Sequence, residues 1–107
     1  MSETLDRVRA LAASGEVRIS DHGYDEFAAD GIVTNEVVAG VASALVVEDY
    51  PDAARGPSVL ALQRDGAGRP LHILWGIRAG SAGPAVMITG YRPDPMRWTD
   101  DFLRRKP

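Results

Sequence analysis

Two histidines, His22 and His72, are the side chains of this sequence best suited to move a proton near neutral pH. His72 lies in the apolar segment GRPLHILWGIR, residues 68–78, and a second apolar segment ends in Tyr91 and Arg92. A polar residue in such a strand either reaches solvent at the strand end or is held in place for chemistry. A histidine, a tyrosine and an arginine together favour proton transfer next to an anionic substrate.

A hairpin is predicted from residues 70–78 and 84–92, joined by the turn AGSAG. Pairing the two strands around this turn puts His72 opposite Gly90, with Arg92 diagonal to it and within reach. Glycine would leave open space beside the imidazole. Tyr91 joins the pair as an auxiliary proton donor if the strand end twists.

These residue types suit cleavage of RNA by its own 2′-hydroxyl. That reaction needs a base for the hydroxyl, an acid for the leaving oxygen and a cation for the charge on phosphorus. His72 would be the acid or base, and Arg92 would bind the phosphate. The alternative is structural: His72 and Arg92 are partly solvated residues at a strand end, above an apolar patch.

His22 lies in the first turn of a predicted helix, where the helix dipole favours a neutral imidazole. It is a second candidate proton carrier if the fold brings it near His72. Asp25 and Glu26 follow at helical spacing, but His22 with one carboxylate supplies only two metal ligands. No metal or other cofactor is therefore expected.

The composition of the 107 residues is typical of one soluble domain, residues 1–107, without cysteine or a signal-like segment, and a cytoplasmic location is expected. Residues 1–54 hold 11 acidic and 3 basic residues, a net charge of −8. Residues 55–107 hold 4 acidic and 9 basic residues, a net charge of +5. The acidic total disfavours general nucleic-acid binding, which requires a basic face.

Helical periodicity precedes strand periodicity along the chain, which predicts an α+β fold. We expect N-terminal helices packed on a four-stranded antiparallel sheet. Ser20 is the predicted cap of the helix that contains His22, and Gly31 its end. A short C-terminal helix is predicted after Thr99, with Trp98 and Leu103 packed across its first turn.

The sequence resembles the bacterial family named domain of unknown function 4258. The resemblance covers residues 17–107 and rests on an ordered set of segments: ISDHGYDEFAADGI, VVEDYP, PSVLAL, RPLHILW and ITGYRPDPMRW. That family is similar in turn to the RelE- and BrnT-like toxins. The resemblance implies a RelE-like toxin fold, metal-independent endoribonuclease activity and an antitoxin partner, with functional weight on His22, His72, Tyr91 and Arg92.

Glu26 and Asp30 stand where the family more often has arginines. This departure favours an alternative function, a non-catalytic module whose acidic helix, residues 21–30, binds a basic segment of a partner protein. A homo-oligomer with the second face of the sheet as its interface is a third hypothesis. No membrane association is expected, and RNA remains a candidate partner that the net charge disfavours.

Overall fold

The structure is a computed structural model, which describes residues 2–107. The helices are α1 (Glu3–Ala13), α2 (Asp21–Asp30) and α3 (Thr34–Gly40), the last continuing into a 3-10 turn (Val41–Ser43). The strands are β1 (Val17–Ile19), β2 (Leu45–Tyr50), β3 (Ser58–Arg64), β4 (Pro70–Ile77) and β5 (Ala85–Tyr91). No helix within residues 2–107 combines the length and the apolar character needed to cross a membrane.

The strands form one five-stranded sheet in the order β1-β5-β4-β3-β2. The α+β class is confirmed, but the predicted four-stranded antiparallel sheet is wrong. Residues 17–19 add a fifth strand at the edge, and this strand runs parallel to β5. The sheet is therefore mixed. Its parallel pair forms because the short segment between α1 and α2 is extended and lies alongside β5.

The three helices cover one face of the sheet, called here the inner face. The apolar side of the β4–β5 hairpin, formed by alternate residues of each strand, lies on it, and its buried members are Leu71, Ile73, Trp75, Ile77 and Met87. Gln63 of β3 accepts a hydrogen bond from the Trp75 indole at 2.7 Å and donates one to the carbonyl of Val37 at 2.8 Å. The core thus satisfies its polar atoms while joining α3 to the sheet.

The ends of α2 follow their predicted capping signals. The Ser20 hydroxyl accepts a hydrogen bond from the amide of Gly23 at 2.9 Å, and Gly31 ends the helix with a φ of 65°. The Ser20 hydroxyl also donates to the carbonyl of Ile88 in β5 at 2.7 Å. This second bond fixes the start of α2 against an irregular point in the sheet.

That irregular point is a bulge in β5, and it changes the predicted register. Trp75 pairs with Met87, which is the register that would set His72 opposite Gly90, but Leu74 pairs with Thr89, so Ile88 is the extra residue. Beyond the bulge, His72 lies opposite Tyr91, and the predicted pairing of His72 with Gly90 is wrong. The carbonyl of the extra residue, Ile88, is the one that accepts the hydrogen bond from the Ser20 hydroxyl.

Residues 93–107 cross the other face of the sheet, called here the outer face, and the predicted C-terminal helix is absent from them. They form a tight hairpin, in which Trp98 bridges Arg105 and the amide of Thr99 donates to the carbonyl of Arg104 at 2.8 Å. Thr99 and Asp101 hydrogen-bond to each other across the turn at 2.6 Å rather than capping a helix. Phe102, with a φ of 60°, completes the turn.

Candidate functional site

His72 is the centre of a polar cluster on the outer face. Its side chain is fully buried, at 0% exposure. The alternative expectation, a partly solvated histidine at a strand end, is therefore wrong. Its Nδ1 lies 3.1 Å from the Tyr91 hydroxyl, and its Nε2 lies 2.8 Å from the carbonyl oxygen of Phe102. His72 therefore connects β4, β5 and the C-terminal hairpin.

These two contacts define the tautomer of His72. A carbonyl oxygen can only accept, so Nε2 carries the proton and donates it to Phe102. Nδ1 then has a free lone pair and accepts the hydrogen of the Tyr91 hydroxyl. This contact does not use the lone pairs of the Tyr91 oxygen, so the hydroxyl can accept a further hydrogen bond.

Burial shifts the pKa values of both His72 and Tyr91. Desolvation lowers the pKa of His72 below 6.5, and the Phe102 carbonyl only partly opposes that shift. Desolvation also raises the pKa of Tyr91 above 10.0. At neutral pH the imidazole and the phenol are therefore both uncharged.

Trp98 separates His72 from the charged surface. Its ring stands edge-on to the imidazole with 4.4 Å between the ring centroids, and the Arg105 guanidinium lies over it, 5.0 Å from the centroid. Arg105 in turn pairs with Glu48 of β2 at 3.6 Å. The hairpin is thereby held to the sheet by aromatic packing inside and by an ion pair outside.

A pocket of about 730 Å³ opens above Tyr91, between β5 and the C-terminal hairpin. We call it the Tyr91 pocket. One acidic side chain, that of Asp94, lines it together with four cationic side chains: Arg92, Arg97, Arg105 and Lys106. The local charge of this pocket is positive in a protein whose net charge is −3.

Only part of this positive charge is neutralised within residues 2–107. Arg97 lies 3.9 Å from Asp94 on the surface, a separation at which an exposed ion pair is weak. Lys106 forms no ion pair within residues 2–107. Lys106 and Arg97 are therefore the side chains most available to an incoming anion.

Arg92 is not paired with His72, contrary to the expectation from the sequence. The bulge moves Gly90 to the inner face, where Phe27 and Ile73 occupy the space beside it, and Arg92 turns toward the same side. Its guanidinium donates to the carboxylate of Asp65 at 3.0 Å and to the carbonyls at the end of α2, those of Asp30 at 3.2 Å and Gly31 at 3.4 Å. Arg92 thus only borders the Tyr91 pocket.

Asp65 keeps Arg92 in this position. Its carboxylate accepts hydrogen bonds from the backbone amides of Ala67 and Arg69, each at 2.9 Å, and from Arg92. The Arg69 amide, followed by the Arg92 guanidinium, lowers the pKa of Asp65 to about 2. The carboxylate is therefore charged at any physiological pH, and Arg92 acts as the cation at the C-terminal end of α2.

His22 is separated from His72 by the sheet. It lies in the first turn of α2, which packs on the inner face through Phe27, whereas His72 is on the outer face. Its side chain is 69% exposed, and its Nε2 lies 3.6 Å from a carboxylate oxygen of Glu26. Residues 2–107 contain no group of three or more His, Asp or Glu side chains arranged to hold a metal ion.

Several residues of the site were not predicted from the sequence. Phe102 and Trp98, which enclose His72, and Arg97 and Lys106, which line the pocket, all belong to the C-terminal hairpin. The high density of cations after residue 96 was the available signal, but the short helix predicted after Thr99 gave no reason to place them around Tyr91. A helix would have placed these cations in solvent rather than around Tyr91.

The fold and the site define an α+β protein with a buried His–Tyr pair beneath a basic pocket. The chain belongs to the family described as Domain of unknown function (DUF4258), whose model matches residues 19–92. His22, His72, Tyr91 and Arg92 lie within the matched residues, whereas Arg97, Arg105 and Lys106 lie beyond them. Neither the curated proteins nor the solved structures contain a match to the chain.

Proposed function

We propose that this protein is a metal-independent endoribonuclease of the toxin type, and that the Tyr91 pocket is its active site. The observation that carries the proposal is the hydrogen bond between the Tyr91 hydroxyl and buried His72, in a tyrosine that lines a pocket together with four cationic side chains. Tyr91 is the catalytic residue in this proposal. His72 positions its hydroxyl and receives its proton.

The charge of the pocket suggests the substrate class. Phosphodiesters are recognised by arginine and lysine, and Arg97, Arg105 and Lys106 surround the opening above Tyr91. A volume of about 730 Å³ accommodates one or two nucleotides rather than a double helix. Single-stranded RNA therefore fits this pocket better than a duplex.

The reaction follows from the tautomer of His72. The 2′-hydroxyl of the bound nucleotide gives its proton to the Tyr91 oxygen as the Tyr91 proton passes to Nδ1 of His72. The 2′-oxygen forms a bond to phosphorus, and the bond from phosphorus to the 5′-oxygen breaks. The leaving oxygen takes a proton from water at the open mouth of the pocket, while Lys106 and Arg97 stabilise the charge on the phosphoryl oxygens.

The products of these steps are a 2′,3′-cyclic phosphate and a 5′-hydroxyl. His72 then returns its extra proton to solvent through Tyr91, and its lowered pKa favours this return. The resemblance to RelE- and BrnT-like toxins adds support from outside the site, because those proteins are metal-independent ribonucleases. A RelE-like fold and an antitoxin-like protein partner belong to the same proposal.

The acidic surface of α2 favours a second candidate function, the binding of a basic segment of a partner protein. Asp21, Asp25 and Asp30 are exposed, and none of them pairs with an arginine or lysine within residues 2–107. Tyr24, 64% exposed, lies among them. The test is the binding of an oligoarginine peptide. Binding that Asp25→Asn weakens, in a protein that does not bind RNA at all, would favour this function.

RNA binding at the Tyr91 pocket is testable without cleavage. A fluorescent single-stranded 2′-O-methyl RNA lacks the attacking hydroxyl, so its anisotropy reports binding alone. We expect Arg97→Gln and Lys106→Gln each to weaken binding and to reduce the slope of log K against log salt by about 0.7, the value for one phosphate contact on a single strand.

Arg104→Gln is the matched control, because Arg104 is an exposed cation of the same hairpin that does not line the pocket. It should leave the salt slope unchanged. Equal losses in all three variants would mean that the RNA contacts the hairpin diffusely, and the pocket would not be the binding site.

A further inference from the structure

The outer face of the sheet carries a second concavity that the ribonuclease proposal does not use. It is a groove of about 360 Å³ at the end of the hairpin opposite Tyr91, between the β2–β3 loop and the strands β4 and β5. We call it the apolar groove. Gly76, Val86 and Ile88 form its floor, and Pro57 forms one wall.

The backbone holds this groove in shape. The amide of Ile77 donates to the carbonyl of Pro57, and the amide of Ala79 donates to the carbonyl of Arg55, both at 3.0 Å. Gly56 permits this approach with a φ of 130°, since a Cβ there would lie 2.0 Å from the Ile77 carbonyl oxygen. The groove is thus formed before any ligand arrives, as is usual for small-molecule sites.

Two arginines are brought to its edge by the same hydrogen bonds. Arg55 and Arg78 both line the groove and are exposed, and neither forms an ion pair within residues 2–107. The lining is almost entirely apolar, so the two arginines contribute mainly their aliphatic parts to it and leave their exposed guanidinium groups for an anion. Such a groove is complementary to an apolar body that ends in an anion. Arginine recognises a carboxylate through paired hydrogen bonds.

The size of the groove favours a small molecule over a protein surface. Eleven residues line it, whereas a stable protein interface engages about 20–30 residues on each side. Its volume falls in the range of small-molecule pockets, roughly 300–1,000 Å³. We infer that the apolar groove binds an aliphatic monocarboxylate, with the chain over Gly76, Val86 and Ile88 and the carboxylate between Arg55 and Arg78.

The test is an NMR titration of the full chain with octanoate, followed through the backbone amides. We expect saturable chemical-shift changes at the amides of Gly56 and Gly76. Octanoate should bind about tenfold more weakly to Arg55→Gln and to Arg78→Gln, the loss expected for one hydrogen bond to a charged group. Arg104→Gln, in the C-terminal hairpin, is the control and should bind as the wild type does. 1-Octanol, which has the same chain without the charge, should bind at least about tenfold more weakly.

Three results would overturn this inference. They are an absence of saturable shifts with octanoate, equal affinity for octanoate and 1-octanol, and shifts that map to the Tyr91 pocket instead. Because Arg55 and Arg78 do not line the Tyr91 pocket, their substitution should leave RNA cleavage unchanged. Failure of this inference and failure of the ribonuclease proposal are therefore distinguishable.

Discussion

Replacing Tyr91 with phenylalanine should lower the rate of RNA cleavage by at least about a hundredfold, the smallest loss typical of removing a general acid or base. The substitution removes one oxygen atom and leaves the ring in place beside His72. Without the hydroxyl, the 2′-hydroxyl of the substrate loses the proton acceptor that is hydrogen-bonded to His72, and His72 is too deeply buried to replace it. The measurement is the single-turnover cleavage rate of a labelled single-stranded RNA in EDTA.

Tyr24→Phe is the matched control for this prediction. Tyr24 is 64% exposed on α2, away from the pocket, so its hydroxyl should be dispensable and the rate unchanged. RNA affinity should persist in Tyr91→Phe, because the cations that line the pocket are unchanged. A Tyr91→Phe protein that cleaves as fast as the wild type would remove Tyr91 from the mechanism.

Replacing His72 with glutamine should destabilise the protein by about 2–4 kcal/mol, since a buried side chain that satisfies two hydrogen-bonding partners is lost. Tyr91 and the carbonyl of Phe102 would lose their shared partner, and Trp98 would lose the ring that it packs against. Urea unfolding at neutral pH measures this loss. His22→Gln, at an exposed position, should change stability little.

The stability contributed by His72 should also depend on pH. Burial lowers the pKa of His72 in the folded state, so the unfolded chain binds the proton more readily, with an ordinary pKa of 6.5. The contribution is fully present above pH 6.5 and is lost as the pH falls toward the lowered value. One proton gives a limiting slope of about 1.4 kcal/mol per pH unit.

The two histidine variants separate this effect from the titration of other groups. Between about pH 7.5 and about pH 5.5, the unfolding free energy of the wild type and of His22→Gln should fall, and that of His72→Gln should fall less. The same fall in His72→Gln as in the wild type would mean that His72 is not the group responsible. The buried neutral state assigned to His72 would then be incorrect.

The helices and the inner face of the sheet were predictable because their signals are local. Ser20 and Gly31 cap α2 as their residue types indicate, and the alternation from Leu71 to Ile77 identified the buried face of β4. Thr34 is an exception: threonine favours the N-cap position, but here it is the first residue of α3 and Val33 occupies the cap position. Such one-residue errors leave the packing of the helix unaffected.

The arrangement of the site was not predictable because a single extra residue in β5 determines it. A regular hairpin places Gly90 and Arg92 beside His72, but the bulge at Ile88 brings Tyr91 there instead. The bulge is stabilised by a hydrogen bond from Ser20, which is 68 residues away in the chain. No periodicity within β5 itself carries that information.

The C-terminal hairpin that covers His72 also depends on contacts between residues far apart in the chain. Thr99 and the acidic residues after it resemble a helix start, yet the Asp101 carboxylate bonds back to Thr99 and to the amide of Leu103 at 3.0 Å. The resulting turn presents the Phe102 carbonyl to a histidine 30 residues earlier. Both candidate side chains, His72 and Tyr91, were identified from the sequence, but their hydrogen bond to each other was not.

The most direct test of the central claim is to incubate the wild-type protein with end-labelled single-stranded RNA in EDTA and to identify the new RNA ends by mass spectrometry. A Tyr91→Phe sample purified in parallel controls for contaminating nucleases. Our account predicts 2′,3′-cyclic phosphate and 5′-hydroxyl ends that form with the wild type and not with Tyr91→Phe. Intact RNA, or products that carry 5′-phosphate ends, would contradict it.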